Sequence, residues 1–292
     1  MSPLRIGLMT LLAMTAFAGN SLLCRMALRH SQIDAATFTT IRLASGAMVL
    51  WLVVSMRRGN TEGKGSWQSA TALFVYAAAF SYAYVKLSAA TGALLLFGAV
   101  QATMIGYGIW SGERLARLQV GGLALALGGL AGLLLPGLSA PPVTASSMML
   151  AAGIAWGIYS LRGRGAGDPT RVTAGNFLRA VPIAVLLNLL MLRGAPLDSE
   201  GIWYAVCSGA VASGLGYAVW YTALPALKAT HAATVQLSVP VLAAFGGILF
   251  LGESLSLHQV LSSVAILGGI ALVLLEKQRV AGVGHAGARG GR

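Results

Sequence analysis

The chain has 292 residues, of which 57% are hydrophobic and only 10% charged, with a net charge of +12 and a mean hydropathy of +0.76. Soluble domains carry nearer a quarter charged residues, so this composition excludes a soluble globular protein. An excess of Lys and Arg would suit nucleic acid in a soluble chain, but here these residues end the apolar runs, as a bilayer requires.

Apolar runs of about 18–20 residues cross the ~30 Å hydrocarbon core as helices. Ten runs, separated by charged or Gly/Pro/Ser-rich gaps, predict spans at residues 4–27, 35–56, 67–86, 90–111, 116–135, 145–161, 172–192, 200–224, 230–251 and 256–275. The first run also has the outline of a signal peptide ending near Ala16-Phe17-Ala18-Gly19. Against that, Ala16-Phe17-x-x-x-Ser21 matches Ala155-Trp156-x-x-x-Ser160, and a segment with a partner in the second half belongs to the fold. The gaps leave no room for a soluble domain. Cys24 and Cys207 lie inside apolar runs, and the four histidines are scattered without metal-ligand spacing. No metal or cofactor is expected.

Residues 112–135 match 252–275 at 11 of 24 positions without a gap. Both blocks read Gly-Glu-x-Leu-x-x-x-Gln-Val and then Leu-Gly-Gly-x-Ala-x-x-Leu-Leu. The offset of 140 divides the chain into a first five-helix repeat (1–140), a second (141–277) and a basic, Gly-rich tail (278–292) whose composition predicts disorder. Five helices per unit is an odd number, so the second copy enters the membrane from the opposite face. The predicted fold is an all-α integral membrane protein of ten helices in two inverted repeats, a recurring plan of secondary transporters. With both termini on one face, fourteen of the 20 basic residues fall in gaps on that face and four on the other. That asymmetry predicts both termini in the cytoplasm.

Each half closes with Gly-Glu-x-Leu and a Gly-Gly-containing helix; Ala155-Trp156-x-x-Tyr159 lies on helix six and Gly214-Leu215-Gly216-Tyr217-Ala218-Val219-Trp220 on helix eight. Pro240 in helix nine precedes a run of small residues. In these features, and over roughly residues 4–277, the chain resembles the EamA-type members of the drug/metabolite transporter superfamily. The resemblance implies a ten-helix exporter of small metabolites in a bacterial inner membrane. The helix-eight stretch is also similar to aromatic amino acid exporters of that superfamily. The first half departs from the pattern, with Val100 at the position paired with Pro240.

Ionisable groups in hydrocarbon need a reason to be there. All eight acids lie in gaps or at helix ends, which argues against a buried carboxylate relay and against a cation site. The repeated Glu113 and Glu253 are gate candidates; the alternative is that each favours the positive end of the helix that follows. Arg42 and Arg179, early in helices two and seven, either meet a substrate carboxylate or gate, or snorkel and tie down a neighbouring helix end. Lys86 ends helix three beside Tyr82 and Tyr84, on the face that is otherwise poor in lysine; it is either a substrate cation or an interfacial lysine.

Aromatic residues point to a pocket. Tyr76, Phe80 and Tyr84 share one face of helix three, Trp156 and Tyr159 one of helix six, and Tyr217 and Tyr221 one of helix eight, with Trp220 beside them. Ordinary helix packing is the competing explanation. Trp67, Trp110 and Trp203, at helix ends, fit interfacial anchors. Asn20, Gln101 and Gln236 are amides in apolar context that must find partners. Pro240 removes the bond to the Gln236 carbonyl, freeing an acceptor inside the membrane. Gly108/Gly112, Gly128/Gly132 and Gly153/Gly157 have the small-xxx-small spacing of close helix contacts.

These features predict a secondary transporter, not an enzyme, that exports amino acids with aromatic or hydrophobic side chains by alternating access. Asn20, Gln101 and Gln236 would hold the zwitterion, and Tyr84, Trp156, Tyr159, Tyr217 and Trp220 the side chain. Broad efflux of drugs or organic cations is the alternative within transport. A polytopic enzyme would need a nucleophile, metal cluster or acid pair, and a scaffold would leave the duplication without purpose. The expected partners are the lipid bilayer and a small-molecule substrate, with no nucleic acid, in a monomer or homodimer.

Overall fold

A computed structural model describes residues 2–57, 63–112, 115–134, 140–163, 167–191, 198–227 and 235–287, with side chains up to residue 274. Ten helices make up the described chain: α1 (Pro3–His30), α2 (Ala35–Met56), α3 (Trp67–Tyr84), α4 (Ala89–Trp110), α5 (Arg117–Leu134), α6 (Val143–Arg162), α7 (Pro169–Leu190), α8 (Ser199–Ala226), α9 (Ser238–Leu251) and α10 (Leu257–Gly287). Eight of these are long and apolar enough to cross a bilayer. The other two differ for local reasons. Helix α3 turns several hydroxyls inward, among them Ser69, Tyr76, Ser81 and Tyr84. Helix α9 is short because the chain makes a turn at Leu237, three residues ahead of Pro240, where the sequence predicted a longer span. By contrast α4, with Val100 at the paired position, runs unbroken.

Side chains fix where the helices start. Asp34 accepts from the backbone N–H groups of Ala36 and Thr37, Asp168 from Arg171 and Asp198 from Gly201. The repeated block acts at the other end. Gly112 (φ 93°) and Gly252 (φ 60°) both adopt the left-handed conformation just past α4 and α9, which ends those helices without a Cβ penalty. The repeated glutamine then starts the next helix. Gln119 Oε1 accepts from Ala116 N and Gln259 Oε1 from Ser256 N, while Ser256 Oγ accepts from Gln259 N, a full capping box.

The packing repeats under exchange of helix n with helix n+5. Helices α2 and α7 pack on each other, as do α4 and α9, and α5 and α10. The α3–α6 contact has its counterpart in α8–α1, α4–α6 in α9–α1, and α3–α7 in α8–α2. Eight helices form the central body. The α5–α10 pair stands outside it, touching mainly α4. The α5–α10 contact is backbone-close, since a Cβ on Gly122 would lie 2.6 Å from the Gly269 carbonyl oxygen and one on Gly269 2.4 Å from that of Gly122. Gly129 belongs to the same seam, whereas Gly128, half of the spacing motif expected there, faces open space. Gly153 and Gly157 do meet α4, at Ala99 and Thr103. Trp67, Trp110 and Trp203 all point outward, as interfacial anchors should. Helix α10 extends to Gly287, past residue 278 where composition predicted disorder; Glu, Lys, Gln, Arg and Ala at 276–281 favour helix locally.

Two neighbouring glycines test the seam. Gly129→Leu forces a side chain into Ala265 and Ile266 and should cost about 1–3 kcal/mol, while Gly128→Leu should be near neutral. Thermal unfolding of the purified variants in detergent checks the contrast.

Candidate functional site

The centre of the bundle encloses a cavity of about 30 Å³, room for roughly two water molecules. Its wall consists of Phe17, Asn20 and Ser21 from α1, Tyr76 and Phe80 from α3, Leu96 and Phe97 from α4, Trp156 from α6, Tyr217 from α8 and Gln236 just before α9. Helices α1, α3 and α4 supply seven of these ten residues, and their counterparts α6, α8 and the stretch before α9 supply three.

Aromatic rings form most of this wall and a layer behind it. Trp156 lies 4.8 Å from Tyr76 and 5.3 Å from Tyr217, centroid to centroid, and stacks on Tyr159 at 5.3 Å. Tyr84, Trp220 and Tyr221 sit one ring further out, against Phe80, Phe17 and Tyr217. They brace the wall instead of lining it. The predicted aromatic faces therefore converge, and each such pair adds about 0.5–1.5 kcal/mol to burial.

The polar face of the cavity is a buried network. Tyr76 Oη accepts from Arg42 Nη2 (3.0 Å) and Asn20 Nδ2 (3.4 Å). Ser208 Oγ donates to Asn20 Oδ1 (2.7 Å), and Arg42 Nε to Ser213 Oγ (3.3 Å). The guanidinium carbon lies 5.2 Å from the Tyr76 ring centre and 4.9 Å from that of Phe80. Arg42 is 1% exposed, and among the described residues Nη1 has no hydrogen-bond partner. Both serines belong to Cys207–Leu215, a π-helical stretch inside α8. Gly209 lets that stretch rest on α2, since a Cβ there would come within 2.1 Å of the Arg42 carbonyl oxygen.

Several expected residues lie elsewhere. Gln101 is buried but lies one turn beyond Phe97 along α4, past the central cavity. It faces a second, apolar cavity among α4, α5 and α10 with Ile105, Leu123 and Ile266. Among the described residues, the amides at the central cavity are therefore Asn20 and Gln236. Lys86 is exposed in the turn after α3, and Tyr82 is half-buried off the cavity wall. Leu96 and Phe97 were missed, because α4 is apolar on all sides and periodicity gives it no inward face.

Polar contacts join the two halves at both ends of the bundle. At the α1–α2 end, Glu253 pairs with Arg25 (3.1 Å) and Arg29 (3.8 Å) and accepts from Ala89 N (2.8 Å). The glutamate thus favours the N-terminus of α4, not of α10 as its place in the sequence suggested. Arg25 Nη1 also donates to the carbonyl oxygens of Tyr84 and Val85. Asp198 accepts from Gly201 N (2.5 Å) and Gln32 N (2.6 Å), joining α8 to the α1–α2 turn. At the α2–α3 end, Arg179 Nη1 donates to the Lys64 carbonyl, Arg57 to Thr170 and Arg162 to Ser69 and Gln68. Arg179 ties down a loop and does not share the setting of Arg42. Glu113 lies outside the described residues.

A family model for EamA-like transporters matches residues 143–275. The protein PA1977 of Pseudomonas aeruginosa, described as uncharacterized, is 59% identical over 268 residues, covering 91% of this chain and 93% of the relative. The chain belongs to the EamA-like transporter family. Among relatives with named activities, the threonine/homoserine exporter RhtA of Escherichia coli is 29% identical over 134 residues, 43% of each chain. A probable amino-acid metabolite efflux pump of Salmonella typhimurium is 29% identical over 173 residues, 54% of this chain and 58% of that protein. A crystal structure at 20% identity superposes with a TM-score of 0.66 over 94% of this chain and 99% of its own, a likeness of fold. This EamA chain is thus a multi-pass, all-α membrane protein of a transporter family.

Glu253→Ala leaves Arg25 buried without its partner and should cost about 3 kcal/mol, whereas Arg29→Ala, which removes a half-exposed and longer contact, should cost under about 1 kcal/mol. Combining Glu253→Ala with Arg25→Ala should be clearly less than additive in unfolding measurements. A second expectation concerns acid. The Gly201 and Gln32 amides hold the Asp198 carboxyl below its ordinary value. Its contribution is therefore present above the unfolded pKa and lost as pH falls through the lower folded one. Asp198→Asn should lower the unfolding temperature at pH 7, with the gap from wild type closing below about pH 4.

Proposed function

We propose that this chain is a secondary transporter that exports small metabolites, amino acids with aromatic or hydrophobic side chains, from the cytoplasm across the bacterial inner membrane. The observation that carries this reading is the central cavity, walled by counterpart helices of both halves. Its mixed character, mostly aromatic with a few polar groups, is that of a site for a small amphipathic molecule. The exporter names of RhtA and of the efflux pump relative support export and amino acids as the broad class, while the aromatic or hydrophobic side chain rests on the cavity wall.

Polar contacts at both ends support alternating access. Opening the α1–α2 end separates Glu253 from Arg25, and opening the other separates Arg179 from the Lys64 carbonyl. The charge asymmetry supports a periplasmic Glu253 end and cytoplasmic termini. A cavity of about 30 Å³ is too small for an amino acid, so loading requires one end to part and the aromatic wall to spread. Among the described residues no carboxylate lines it, which argues against organic cations.

Proteoliposomes loaded with labelled Phe, Trp, Thr and Leu test the proposal. Purified protein should accelerate Phe and Trp flux, Trp156→Ala should reduce it at least about tenfold by removing a wall, and Lys86→Ala should leave it unchanged. Acceleration of none of the four would sink the amino acid reading.

A further inference from the structure

We infer that the central cavity recognises a carboxylate, and that its substrates are apolar or aromatic acids whose amino group is dispensable. The inference rests on the transporter reading for its biological use, but on the buried network for its chemistry. Arg42 is a full positive charge inside the membrane. Among the described residues it has no carboxylate partner, since the ion pairs there all involve Glu253. Isolated buried ions cost several kcal/mol, and such a charge is retained where something else pairs with it.

The hydrogen-bond inventory shows how that charge reaches the cavity. A phenol oxygen has two acceptor positions and one hydrogen. Both acceptor positions of Tyr76 Oη are taken, by Arg42 Nη2 and Asn20 Nδ2, so its own hydrogen must go to an acceptor. Tyr76 lines the cavity, and the guanidinium behind it polarises that O–H. Asn20 is biased the same way, because Ser208 occupies its oxygen and one amide hydrogen remains to donate. The network thus presents donors, backed by a cation, to the space it borders. An ammonium group fares badly there. It would face the same positive charge, and the guanidinium already lies against the rings of Tyr76 and Phe80 that would otherwise attract it.

Three probes that share a phenyl ring test this by calorimetric titration of the purified protein: 3-phenylpropionate, L-phenylalanine and phenethylamine. The two acids should bind, and the amine should bind at least about tenfold more weakly, the value of one charge-assisted hydrogen bond. Tyr76→Phe, which keeps the ring, should weaken both acids by about tenfold or more and leave the amine unchanged. Ser213→Ala loosens Arg42 without touching the cavity wall and should give a smaller loss in the same direction, which keeps the test open if Tyr76→Phe does not fold. Equal binding of amine and acid, or unchanged acid affinity in both variants, would overturn the carboxylate assignment. If phenylalanine were still transported in that case, the exporter reading would stand. Binding of none of the three probes, with no flux, would overturn both.

Discussion

A guanidinium held against two aromatic rings, with no carboxylate in reach among the described residues, sets the terms for the centre of this protein. Hydrocarbon offers Arg42 neither water nor counter-ion, and its guanidinium turns to the Tyr76 phenol, the Ser213 hydroxyl and, through Tyr76, Asn20 and Ser208. These residues come from α1, α2, α3 and α8. One buried charge thereby ties three helices of the first half to one of the second. The aromatic wall follows, since rings of moderate polarity tolerate a neighbouring cation where aliphatic chains would not.

The repeated block plays a different part. Its glycines end α4 and α9, its glutamines start α5 and α10, and its small residues let α5 and α10 touch through their backbones. None of this reaches the cavity. The one acid of the block whose placement is described, Glu253, crosses to the other half and bridges α1 and the start of α4. Duplication has therefore produced equivalent helix ends, while charged side chains of both copies reach across to the other half, Arg42 and Arg57 from the first and Glu253, Arg162, Arg179 and Asp198 from the second.

The ten helices were legible because a 20-residue apolar run has one physical outcome in a bilayer, and most predicted boundaries fall within two or three residues of the observed ones. The aromatic faces were legible too, since spacings of four place Tyr76 and Phe80 on one side whatever they contact. Other features depend on partners distant in sequence. Nothing local distinguishes Arg42, buried and without a partner at Nη1 among the described residues, from Arg179, which reaches a loop carbonyl; the two looked equivalent by position. Gln101 and Gln236 are equally polar and equally embedded, yet only one meets the central cavity. The capping role of Glu253 was misassigned because its nearest helix start in sequence is not its nearest in space.

The π-helical stretch of α8 carries a consequence for everything beyond it. Each residue bonded to its fifth neighbour turns less about the axis than one in an α-helix, so Cys207–Leu215 accumulates a lag in phase. Tyr217 faces the cavity, and Trp220 braces Phe17, at an azimuth fixed upstream of both. Helix α8 thus works as a shaft with a built-in offset: winding those nine residues back to α geometry would swing the downstream rings away from the centre without altering any residue that touches it.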